Sequence, residues 1–119
     1  MAKVRRVVEE VTDWRNKPRN PDMDKRVVEA IGRRRRQMLV HCCIYYRYDE
    51  NVIDDHTWNK WAQQLARLQK KYGWRIGFYD RVFRDWDGSS GFHLPADSDV
   101  MRVARRILEE HRQREFLLS

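Results

Sequence analysis

Cysteine is scarce in this sequence, and the two residues present, Cys42 and Cys43, are neighbours in an apolar run. Adjacent cysteines cannot staple distant parts of a chain together, so they read as small buried thiols in a reducing compartment. No CxxC pair and no Cys/His zinc pattern occurs, which excludes the common structural zinc folds. Apolar runs are short as well. None approaches the roughly 20 residues that a membrane-spanning helix needs, and no apolar segment follows Met1-Ala2-Lys3-Val4-Arg5-Arg6, as a secretory leader would require. There is no internal repeat and no low-complexity tract. These absences leave an intracellular, single-domain protein of 119 residues as the expectation.

What is abundant is charge and aromatic surface. Charged residues make up 36% of the chain, the net charge is +7, and five Trp and five Tyr are present. Large rings need burial, so the composition argues for a folded core. The positive balance attracts acidic partners such as nucleic acid, nucleotides or an acidic protein surface, without choosing among them.

Periodicity predicts a mostly α fold. Val4, Val7, Val8, Val11 and Trp14 have helical spacing, although their β-branched content also permits a strand. The polar stretch 15–21, with Pro18 and Pro21, then reads as a linker, making residues 1–20 an N-terminal arm ahead of one domain over 21–119. Pro21 and Asp22 are helix-start signals for a first core helix over about 22–48, with Gly32 as a point where it breaks or bends. Its run from Gln37 to Tyr46 is apolar nearly all round, which marks it as the central helix. Asp54 caps a second helix over about 54–72, with Trp58, Trp61, Ala62, Leu65 and Leu68 as its stripe and Gly73 as its stop. Residues 74–95 read as a short irregular or β segment, with Gly73 to Phe83 allowing a short strand or a helix and Phe92-His93-Leu94-Pro95 extended before the proline. Asp97 or Ser98 caps a last helix over about 98–115.

Two antiparallel helices joined by a short loop would bring His41, Tyr45 and Tyr46 towards Asp55, Trp58 and Asn59. Such a set offers aromatic faces together with a carboxylate, an amide and an imidazole. It suits a flat ring with polar edges, such as a nucleobase or nicotinamide. Spacing alone equally describes an aromatic hairpin core with a capping aspartate. Arg33-Arg34-Arg35-Arg36 point nearly all round the helix axis, so they form either a phosphate-binding knot or a solvated stretch. Arg102, Arg105, Arg106, Arg112 and Arg114 make a second basic region. Asp85-x-Asp87-Gly88 lacks the rest of a calcium loop and reads as a tight turn. His56 and His93 have no partner at ligand or triad spacing, and no nucleophile–base–orienter set is readable, so the chain reads as non-catalytic.

The stretch Gln37 to Tyr72 resembles the small N-terminal helical domain, domain Ia, of NAD-dependent DNA ligases. That family shows a Tyr-Tyr or Tyr-His pair, an Asp, a short loop with Ile-Ser-Asp, then Tyr-Asp and a Leu-rich helix. Here the corresponding residues are Tyr45-Tyr46, Asp49, Ile53-Asp54-Asp55, Trp58-Asn59, and Leu65 with Leu68. The resemblance implies recognition of nicotinamide mononucleotide or NAD as a ligand, through Tyr45, Tyr46, Asp55, Trp58 and Asn59. Trp58 lacks the tyrosine hydroxyl, and Asn59 lacks the carboxylate charge. No lysine is followed by x-Asp-Gly, so the adenylated nucleophile of a ligase is absent. With the stretch Phe83 to Pro95 included, the chain looks like small phage-encoded proteins carrying the same hairpin as a stand-alone unit. Those proteins carry no assigned role, and the likeness implies a phage or prophage source, hence the cytoplasm of a bacterial host cell. With no catalytic set readable, the chain reads as a binding protein that requires no cofactor. Its partner would be a host protein, as for a defence inhibitor, or a nicotinamide nucleotide. The alternative is a basic accessory protein that binds nucleic acid through its Arg-rich stretches.

Overall fold

The computed structural model describes residues 23–119. The expected N-terminal arm, its linker and the start signals Pro21 and Asp22 lie outside the described residues. Those described form four helices: α1, Lys25–Tyr48; α2, Asp55–Tyr72; α3, Asp80–Phe83; and α4, Ser98–Leu118. The mostly α fold with a helical hairpin and a C-terminal helix is as the periodicity predicts.

Capping sets the boundaries. The Asp24 carboxylate accepts the Arg26 N–H at 2.8 Å and opens α1. Asp49 closes α1 in the left-handed region at φ 53°, a conformation that aspartate tolerates better than most residues. At that end the Ile44 carbonyl accepts the Glu50 N–H at 3.2 Å. Asp54 caps α2 through the Thr57 N–H at 2.7 Å, and Gly73 ends it at φ 102°. Asp97, rather than Ser98, caps α4 by accepting the Val100 N–H at 2.9 Å. Gly32 does not break α1, which runs through it without interruption. A lone glycine costs only about 1 kcal/mol, too little to end a 24-residue helix packed on two sides.

The central helix packs against both α2 and α4. Its buried side chains include Ile31, Met38, Leu39, Val40, Cys43 and Ile44. Ala62 and Leu65 close the core from α2, and Val100, Ala104 and Leu108 close it from α4. Contacts between α1 and α2 run in opposite directions along the two helices. Arg35 meets Gln69 near one end, while His41 faces Trp61 towards the other. The hairpin is therefore antiparallel.

The segment after α2 differs from the β alternative: no strand occurs among the described residues, and 74–95 holds α3 and turns instead. The cause is a buried ion pair that takes up the backbone. Arg35 is fully buried, and its guanidinium lies 2.7 Å from the Asp80 carboxylate. It also donates to the Phe78 carbonyl at 2.6 Å, the Trp74 carbonyl and the Gln69 side chain. Asp80 in turn accepts the N–H groups of Ile76 at 3.1 Å and Gly77 at 2.9 Å. Backbone groups that a strand would give to a neighbour are given to these two side chains. Gln69 completes the network by donating to the Phe83 carbonyl at 2.7 Å.

Phe92 and His93 likewise sit in a turn rather than in extended chain, because the Leu94 N–H bonds back to the Gly91 carbonyl at 3.1 Å. Further support comes from Tyr79, whose hydroxyl donates to the Asp97 cap. Burial, and then the Asp97 charge, push the Tyr79 phenol up to about 12. No helix among the described residues is long and apolar enough to cross a membrane.

Candidate functional site

The last turns of α1 present His41, Cys42, Tyr45 and Tyr46 beside the loop into α2. Helical geometry puts residues i and i+4 on one face, so Tyr45 lies one turn beyond His41 on the same side of α1. Asp55 and Trp58 come from the first turns of α2. Together with the α1–α2 loop these groups wall a cavity of about 230 Å³. Of the residues singled out from sequence, His41, Tyr45, Tyr46, Asp55 and Trp58 line it, and Asn59 does not. Asn59 is exposed, because α2 turns Trp58 towards the loop 88–91 and rotates the next residue away.

A third wall was invisible in the linear pattern. Ser89, Ser90 and Gly91, read only as a turn, close the cavity from the far side. Trp86 holds them there: its indole N–H donates to the Ala62 carbonyl at 3.0 Å, and its ring meets Phe83 and Trp58 at 5.2 and 6.3 Å. Two glycines let the loop come this close. A Cβ on Gly91 would lie 2.3 Å from Cys42 Sγ and 3.1 Å from Trp58 Cζ2. On Gly88, at φ 82°, it would lie 3.0 Å from the Ala62 carbonyl oxygen. The paired Gly88 and Gly91 were the one sequence signal of this close approach. Asp87, far from offering a calcium ligand set, accepts from the Ser89 N–H at 2.9 Å and hydroxyl at 2.6 Å.

The cavity wall combines stacking surface with polar groups in distinct states. Tyr45 and Tyr46 are 51% and 56% exposed and meet edge to face at 4.8 Å, forming an aromatic rim. The Asp55 carboxylate stands at the positive N-terminal end of α2. His41 packs its ring 5.7 Å from Trp61. Burial holds the imidazole below its usual pKa, so it is neutral at pH 7. Its Nδ1 is buried without a hydrogen-bond partner among the described residues.

Glu50 is held on the wall by Arg112 of α4, 2.6 Å away. Burial pushes the Cys42 thiol up to about 11, against the smaller opposite pull of its hydrogen bond from Trp58. Burial raises Cys43 too. Both cysteines are therefore expected to resist iodoacetamide at pH 8 in the native protein and to react at once in denaturant. Mass spectrometry after timed labelling checks this, and Cys42 labelling should accelerate as pH rises towards 11.

The arginine run divides among three environments. Arg35 belongs to the buried network and is closed to any ligand, which corrects its assignment as a contact residue. Arg36 stacks over Phe78 at 5.3 Å. Arg33 and Arg34 face a separate groove towards α2. In the second basic region Arg102 pairs with Asp99 at 3.4 Å, and Arg112 with Glu50. Comparison of the chain with family models, with curated proteins and with solved structures finds no match.

Proposed function

We propose that this protein is a non-catalytic binding protein that works through the cavity at the tip of its hairpin. The observation that carries the reading is convergence. His41, Tyr45, Tyr46, Asp55 and Trp58, chosen on chemistry and on the ligase resemblance, wall one cavity. At about 230 Å³ it has room for a ring, with the rest of a larger ligand left outside. Aromatic faces supply stacking area, and Asp55 supplies a charge complementary to a cationic ring such as nicotinamide. The unpartnered Nδ1 of His41 is a buried polar atom that a ligand's polar edge would satisfy. Burial keeps the Cys42 thiol protonated at neutral pH, so Cys42 belongs to the wall and is no thiolate nucleophile.

Nicotinamide mononucleotide or NAD at millimolar concentration is expected to raise the melting temperature in a thermal-shift assay. Tyr45→Ala and Asp55→Ala should each remove that shift while leaving the unliganded melting temperature nearly unchanged, since both residues are exposed. Failure of both ligands to shift the wild-type protein sinks the nicotinamide reading. A second reading rests on the exposed tyrosine rim. Paired aromatics at an open edge are the residues that anchor protein interfaces, which fits a host-protein partner of the phage defence-inhibitor type. That reading requires a captured host protein to be lost in the Tyr45→Ala, Tyr46→Ala double variant.

A further inference from the structure

A groove of about 450 Å³ runs between α1 and α2 at the end of the hairpin opposite the cavity. Arg33 and Arg34 line it from α1, Arg67 and Lys71 from α2, and no carboxylate among the described residues lines it. Arg67 and Lys71 are four apart and share a helix face. None of these cations makes an ion pair with a described residue. Arg34 bonds only to neutral groups, Gln64 at 3.0 Å and Gln37 at 2.6 Å. Burial, and after it the neighbouring charge on Arg33, depress the Arg34 pKa. The floor is apolar, from Ala30 and Leu68, and Tyr72 at one end is 40% exposed.

We propose that this groove is a second binding site, taking the phosphate backbone of a single-stranded nucleic acid. Four cations without a counter-charge among the described residues match a series of phosphates rather than one carboxylate. The Lys71 ammonium lies over the Tyr72 ring, 5.3 Å from its centroid, so the ring's other face and the apolar floor are what offer a stacking platform for a base, which a free polyphosphate would not use. The site uses half of the arginine run identified in the sequence and adds two α2 cations that sequence spacing did not connect to it. It shares no residue with the hairpin cavity, so it stands or falls independently of the nicotinamide reading.

The test is fluorescence anisotropy of a labelled oligothymidylate with the full chain at low salt. Binding is expected, with affinity falling as salt rises by about 0.7 log units per log unit for each phosphate contacted. The Arg67→Gln, Lys71→Gln double variant should lower affinity at least about tenfold and reduce the salt slope by about 1.4. Removing the same charge from α4, as Arg105→Gln with Arg106→Gln, should leave affinity within about twofold. Tyr72→Ala should weaken binding at least about fivefold, and Tyr72→Phe should not. Equal losses from the two charge-matched pairs would make the binding diffuse and overturn the site. Absence of binding at low salt overturns it as well. Displacement by tripolyphosphate as strong as by unlabelled oligonucleotide would assign the groove to free polyphosphate and overturn the strand reading.

Discussion

Replacing Arg35 by methionine is expected to destabilise the fold by about 3–5 kcal/mol, because it leaves the Asp80 charge buried without its partner. The carbonyls of Trp74 and Phe78 and the Gln69 side chain lose donors at the same time. For a chain of this size the loss corresponds to a fall in melting temperature on the order of 15 °C. Urea denaturation followed by circular dichroism measures it, and a change below about 1 kcal/mol would show that the network is not structural.

The Arg35→Met, Asp80→Leu double variant should recover only part of the loss. Buried ion pairs can often be exchanged for apolar residues at little cost. Here, though, Asp80 also accepts the Ile76 and Gly77 N–H groups, and those would be stranded. Apportioning the network therefore needs the full double-mutant cycle.

Trp86→Ala should cost about 3–5 kcal/mol, the range for truncating a large buried aromatic. Trp86 is 9% exposed and touches Phe83, Trp58 and the Ala62 carbonyl. Unlike the Arg35 change, it acts directly on the candidate site, because Trp86 is what fixes the Ser89–Gly91 wall over α2. The variant should therefore also lose any thermal shift with a nicotinamide nucleotide. Trp86→Phe keeps the ring and gives up the indole hydrogen bond, at about 1 kcal/mol beyond the smaller ring area. A ligand response that survives Trp86→Ala would remove the 88–91 wall from the site.

Helix identity and the hairpin were legible because the information is local. Asp54, and Asp97 or its neighbour Ser98, read as caps since a short polar side chain followed by an apolar-periodic run satisfies the orphan N–H groups of a helix start wherever it occurs; the structure decides for Asp97. His41, Tyr45, Asp55 and Trp58 could be brought together from spacing, because a short loop forces neighbouring helices antiparallel. The errors come from places where one side chain overrides local preference. Arg35 looked like one of four equivalent surface arginines, and nothing in its neighbours reveals that Asp80, 45 residues away, is buried beside it. Residues 74–78 carried β-compatible residue types, and their backbone groups went to that same pair.

The amino-acid sequence by itself determined the three long helices, the Asp54 cap and the aromatic hairpin tip, since each follows from interactions within a few residues. Tertiary structure alone decided which arginines are free, that Asn59 points away, and that Ser89 to Gly91 close the cavity. Those outcomes depend on contacts between residues more than twenty positions apart, such as Trp86 with the Ala62 carbonyl and Arg35 with Asp80. Such contacts have no period, and they form only once α1, α2 and the loop between α3 and α4 share one core.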